Sequence, residues 1–165
     1  MSILKATVDF ETRSACNLRS SGAWRYSRDP STEILCLAFR LPSWESGRTS
    51  LWHPAFPSLG ILESPYDDVP ELVDWITRSR ILEAHVAWFE YCIWTNILTP
   101  RYDWPAIQPK KWRCSAAKAA ACALPRKLED LGDALHSDVL KDAKGHKVMM
   151  KLAKPRKERK KEREL

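Results

Sequence analysis

The chain has 165 residues, 44% hydrophobic and 29% charged, with eight tryptophans and a formal net charge of +6, which suits one core and one domain. No apolar run reaches the ~20 residues that cross a bilayer, and Met1 to Thr12 does not read as a signal peptide. Five cysteines, an odd number without a C-x-x-C pair, argue against a disulfide framework and for a reduced, cytoplasmic setting.

The first predicted element is a strand over Leu4 to Glu11, where Leu4, Ala6, Val8 and Phe10 alternate with Lys5, Thr7, Asp9 and Glu11. A long Ser/Arg/Gly-rich loop follows through Pro30, with a short turn expected at Asn17-Leu18 and Gly22-Ala23-Trp24. Strands are expected over Glu33 to Leu41 and Thr49 to His53, punctuated by Pro42, Gly47, Pro54 and Pro57. Asp68-Val69-Pro70-Glu71 opens a helix running to about Arg78. A short buried strand spans Arg80 to Ala84 and is followed by a helix carrying Glu90. Pro100 to Pro109 reads as a loop and Trp112-Arg113 as a short fifth strand. Ser115 is placed to cap an alanine-rich helix to Ala123, and another helix covers Lys127 to Leu135. Cys92, Cys114 and Cys122 fall in helical apolar patterns and read as small buried hydrophobes. Three antiparallel strands followed by alternating helix and strand predict an α/β fold with a mixed sheet.

Three carboxylates carry the chemical signal. On a strand Asp9 and Glu11 share a face, about 7 Å apart at ~3.3 Å rise per residue. Two like charges that close repel unless a cation lies between them or one is protonated. Glu90 is the only formally charged residue from Val86 to Pro100, and it falls inside the apolar stripe Val86, Phe89, Ile93, Ile97. A carboxylate there is expensive to desolvate unless something positive meets it. Three partners are open to it: a salt bridge to Arg13, Arg25 or Arg113; water at the edge of the stripe; or a metal shared with Asp9 and Glu11. The shared metal accounts for all three acids at once. Hard carboxylate oxygens suit Mg²⁺ or Mn²⁺.

The segment Asp9-Phe10-Glu11-Thr12-Arg13-Ser14 resembles the first exonuclease motif of the 3′–5′ proofreading exonuclease domain of bacteriophage-type family A DNA polymerases, in the ribonuclease H-like (DnaQ-like) superfamily. His85-Val86-Ala87-Trp88-Phe89-Glu90 resembles the second motif, His-Asn-Ala-x-Phe-Glu. Further resemblance lies in Ser21 to Phe39, Trp112 to Leu135 and Lys141 to Lys157. The resemblance implies a ribonuclease H-like sheet of about five strands flanked by helices. It implies two Mg²⁺ or Mn²⁺ ions held by Asp9, Glu11 and Glu90, with Asp9 bridging, and hydrolysis of a single-stranded DNA 3′ end to deoxynucleoside 5′-monophosphates. Thr12, Arg13, Trp24, Tyr26, His85 and Trp88 are the residues expected to hold the DNA end. Val86 stands where the family carries Asn. The third motif, Tyr-x-x-x-Asp, would follow Lys154-Pro155-Arg156-Lys157, and the sequence ends at Leu165 before it. The expectation is therefore a weak or inactive nuclease, completed by a polymerase domain or a downstream chain. The alternative is a catalytically inactive nucleic-acid-binding or polymerase-associated module of the same fold. A phage or prophage origin would place it in the bacterial host cytoplasm.

Charge is unevenly spread. Lys141 to Leu165 holds eleven Lys/Arg and four Asp/Glu, a balance of +7, and the rest of the chain carries −1. Such a run suits nucleic-acid phosphates. Its last stretch, Arg156 to Glu164, mixes signs at helical spacing and reads as a solvated tail. The domain is accordingly expected over 1–153, with a basic tail over 154–165.

Overall fold

The computed structural model describes residues 4–44, 48–57, 60–63, 65, 67–78, 80–137 and 142–154. The expected tail from residue 155 onward lies outside them. Period-2 patterning produces the central strand β1 (Lys5–Arg13), whose even-numbered side chains are buried while the odd-numbered ones are exposed or half-exposed. β2 (Glu33–Arg40) pairs antiparallel with β1, and β3 (Ser50–Trp52) pairs antiparallel with β2. On the other side β4 (Ile81–Ala84) runs parallel to β1, and β5 (Trp112–Cys114) parallel to β4. The sheet order is β3-β2-β1-β4-β5. The fold is thus α/β with a five-stranded mixed sheet, the arrangement expected of a ribonuclease H-like domain.

One segment differs in kind from expectation. The stretch expected as a loop before Pro30 contains helix α1 (Leu18–Arg28). Asn17 caps it, its side chain accepting from the N–H groups of Arg19 and Ser20. Gly22, at φ 73° and ψ 163°, breaks the helix into two short pieces, a conformation glycine adopts at little steric cost. Only Tyr26 and Ser27 are buried, so no apolar stripe announces the helix.

Helix α2 (Val69–Thr77) starts with Pro70 in its first turn and buries Val69, Leu72, Trp75 and Ile76. α3 (Ala87–Ile93) continues through a π-helical stretch, Trp94–Leu98, into α4 (Thr99–Tyr102), so the expected loop begins later, at Asp103. α5 (Ser115–Ala121) is capped by Cys114, whose sulfur accepts the Ala117 N–H, and not by Ser115. α6 (Leu128–Ala134) and α7 (Ala143–Leu152) complete the described helices; no element is expected for α7 from the sequence pattern.

Six of the eight tryptophans lie in the core. Trp94 meets Phe10, Trp104 and Trp112 edge-on, and Trp104 meets Trp52 in the same way, the arrangement that aromatic quadrupoles favour. Trp94 donates to the Pro105 carbonyl and Trp75 to that of Ile81. All five cysteines are free. Of the three expected to be buried, only Cys92 is; Cys114 is half-buried at its helix cap and Cys122 is exposed. Among the described residues no helix is long and apolar enough to cross a membrane.

Candidate functional site

β1 and β4 are parallel neighbours from which the chain departs in opposite directions, β1 toward β2 and β4 toward β5. The crevice outside the carboxyl ends of strands at such a switch point is where ligands bind in open α/β sheets. Here β4 ends at Ala84, while β1 runs on from its last β4 partner, Thr7, to Arg13. The N–H groups of β1 facing that gap need acceptors.

Glu90 supplies one. The chain turns at His85-Val86, enters α3 and returns Glu90 over the gap, where its Oε2 accepts the Phe10 N–H at 3.0 Å. That places the Glu90 carboxylate against the backbone between Asp9 and Glu11. Glu90 is only 3% exposed, so it does not reach water. No ion pair to it is found among the described residues. Arg13 pairs with Glu33, and Arg113 donates to the carbonyls of Lys110 and Trp112.

The electrostatics follow from that placement. Burial pushes the Glu90 pKa well above its ordinary value, and repulsion from Asp9 and then Glu11 adds to it, against the opposing Phe10 N–H bond. Glu11 is raised by burial and then by Asp9. Asp9 stays in touch with solvent, but the surrounding protein strips enough water to raise its pKa, partly offset by His85. Cys36, paired with Glu11 across the sheet, is raised by burial and by both Glu11 and Asp9. Asp9 and Glu11 repel each other and both repel Glu90, and among the described residues the His85 ring offsets part of the charge at Asp9. Among the described residues no three His, Cys, Asp or Glu groups stand close enough together to hold a metal ion as they are placed. The donor set, all carboxylate oxygen, fits Mg²⁺ or Mn²⁺.

Val86 sets the turn that delivers Glu90. It lies in the left-handed region at φ 58° and ψ 49°, at the N-cap of α3, and is 47% exposed. It therefore stands outside the buried helical stripe expected to include it, which here consists of Glu90, Ile93 and Ile97 with Phe89 half-buried. A β-branched residue in this region is a genuine outlier. His85 locks the other side of the turn: Nε2 lies 2.8 Å from the Arg126 carbonyl and Nδ1 2.9 Å from Ser115 Oγ. Facing a carbonyl, Nε2 must carry a proton, so in the neutral ring Nδ1 accepts from the serine. Ser115 is the first residue inside α5, and the cap position falls to Cys114.

An exposed aromatic surface joins α1 to α3. Trp24 on α1 and Trp88 on α3 are 42% and 57% exposed. Their rings stack at 6.3 Å with 19° between planes, and Trp88 continues onto Tyr91 at 5.7 Å. Arg28 lies over Trp24 at 5.7 Å. The only two tryptophans outside the core thus form one stack. Tyr26, by contrast, is buried against Phe89, and its hydroxyl meets that of buried Thr12 at 2.9 Å. Of the residues expected to hold a DNA end, Trp24 and Trp88 face solvent, Tyr26 and Thr12 support the site from within, Arg13 is engaged with Glu33, and His85 braces the turn. The His85–Ser115–Arg126 link has no local sequence signal, because its members are 30 and 41 residues apart.

The chain matches no protein-family model and no curated protein.

Proposed function

We propose that this chain is a 3′–5′ DNA exonuclease domain of the proofreading type found in bacteriophage-type family A polymerases, working in a bacterial host cytoplasm. The observation that carries the reading is Glu90: a buried carboxylate held on the backbone between two further carboxylates, at a sheet switch point, with no cation among the described residues to balance it. Asp9, Glu11 and Glu90 would hold Mg²⁺ or Mn²⁺. When bound, such an ion lowers the pKa of a water and neutralises charge on the departing 3′ oxygen. Asp9 and Glu11 face the substrate side, and Glu90 fixes the floor. The Trp24–Trp88 stack offers a platform on which terminal bases rest regardless of sequence. The hydrolysis forms a bond from water oxygen to phosphorus and breaks the bond from phosphorus to the 3′ oxygen. The oxygen takes up a proton, and the terminal nucleotide leaves as a 5′-monophosphate.

A second reading, a nucleic-acid-binding or polymerase-associated module without turnover, is favoured by one specific observation. Val86 stands where the resembled second motif carries Asn, so the polar contact of that side chain is absent beside Glu90. The test is a time course of 3′-end loss from a labelled single-stranded oligonucleotide in Mg²⁺ or Mn²⁺, beside an Asp9→Asn, Glu11→Gln control. Metal-dependent trimming that the control lacks supports the nuclease. Binding without trimming supports the module. Equal trimming by the control overturns the carboxylate site.

A further inference from the structure

The lysines of α7 stand apart from the rest of the described surface. Lys144, Lys147 and Lys151 recur at intervals of three and four, which puts them on one helical face, and Lys154 follows in the turn beyond. All four are exposed, and Ala143 to Lys154 contains no acidic residue. Just before the helix Asp142 caps it, its side chain accepting the Lys144 N–H at 2.9 Å, and no salt bridge to the four lysines is found among the described residues. Val148, Met150 and Leu152 flank the row as exposed apolar side chains. The row is about 15 Å long at 1.5 Å rise per residue.

Its position gives it meaning. The Ala153 carbonyl, at the end of α7, accepts the N–H of Ser14 at 3.1 Å. Ser14 is buried and follows β1 directly, three residues after Glu11. The C-terminal end of α7 is therefore fastened to the strand end that bears the carboxylates, about 10 Å of extended chain from Glu11.

We infer that the exposed lysine face of α7 is the track for the phosphate backbone of a single-stranded nucleic acid, leading away from the carboxylate site at the end of β1. The charge pattern selects the occupant: a row of point charges with no acid among Ala143 to Lys154 suits a polyanion, and apolar side chains beside it suit the bases, which stack without sequence preference. The inference rests on the nuclease reading only for which end of the strand lies at β1; the binding itself does not depend on cleavage.

The test uses the full chain, in EDTA, with an Asp9→Asn, Glu11→Gln background so that cleavage plays no part. Fluorescence anisotropy of a labelled 20-nucleotide oligothymidylate is followed across a sodium chloride series. The Lys144→Gln, Lys147→Gln, Lys151→Gln, Lys154→Gln variant should lower the slope of log affinity against log salt by about 3, at about 0.7 per phosphate contact on single strands. Its melting temperature should match that of the parent. An unchanged slope overturns the track. So does the same loss arising only on neutralising Arg156, Lys157, Arg159, Lys160, Lys161 and Arg163, or binding to phosphatidylserine vesicles with none to the oligonucleotide. Failure of the 3′-end assay with the salt slope intact removes the nuclease and leaves the track standing.

Discussion

Val86 is the position where a single substitution should improve the protein. An L-residue in the left-handed region pays about 1–2 kcal/mol, and Val86 sits there at φ 58° with its side chain nearly half exposed. Asparagine tolerates this conformation because its short polar side chain bonds locally. Val86→Asn should relieve most of that strain and lose at most about 1 kcal/mol of partial apolar burial, a net gain of about 0.5–1 kcal/mol. At about 2–4 °C per kcal/mol for a domain of this size, the melting temperature should rise by about 1–4 °C. Val86→Gly also relieves the strain but adds about 0.5–1 kcal/mol of unfolded-state freedom, so it should come out near the wild type. Val86→Ala keeps the offending Cβ, loses packing and should melt lower. Thermal melts of the four proteins in EDTA give the ranking. Val86→Asn melting no higher than Val86→Ala would refute the conformational argument. Val86→Asn alone should not create a fast nuclease, because the acid count is unchanged.

The remaining predictions concern the site and its bracing. Glu90 has a folded pKa raised above its ordinary value of 4.5, so the folded form binds the proton more tightly than the unfolded one. Its contribution is full below that value and is lost as the pH rises through the folded pKa. In EDTA, Glu90→Gln, whose amide oxygen can still accept the Phe10 N–H, should melt higher than wild type at pH 7 and show a flatter profile from pH 4.5 upward; a lower melting temperature at pH 7 would contradict this. Trp88→Ala should weaken oligothymidylate binding by about 1–3 kcal/mol for the base it stacks while hardly moving the melting temperature, and unchanged affinity would remove the platform. His85→Ala should cost about 1–3 kcal/mol by leaving the Ser115 and Arg126 groups without their partner. Hydrogen exchange should then quicken around 122–127, and protection there equal to wild type would sink the bracing role.

Strands and core were legible in the sequence wherever periodicity was strong. β1 alternates cleanly, and β2, β3, β4 and β5 lie within a residue or two of the expected segments. The Asp9, Glu11 and Glu90 set was legible because a charge in an apolar stripe, or two charges on one strand face, is costly without a reason. What escaped was set by backbone conformation and distance. α1 buries only Tyr26 and Ser27 and is broken at Gly22, so its one local sign was the Asn17 cap. Val86 reads as a core residue by spacing, and only its positive φ shows it as a strained turn. The helix begins one residue earlier than expected, at Ser115, so the cap is Cys114, whose sulfur accepts the Ala117 N–H. No described side chain of α7 is fully buried, so no apolar stripe announces it, and the backbone bond from Ser14 to the Ala153 carbonyl joins residues far apart in sequence.

Whether Asp9, Glu11 and Glu90 share a divalent cation is decided by titrating Mn²⁺ into the protein and following the free-ion signal by electron paramagnetic resonance. Saturable binding at pH 7.5 is predicted, weakening as the pH falls and the acids protonate. It should be abolished by Asp9→Asn and by Glu90→Gln, and accompanied by a rise in melting temperature. A free-ion signal unchanged at millimolar Mn²⁺, or binding that survives both substitutions, would rule out the shared cation.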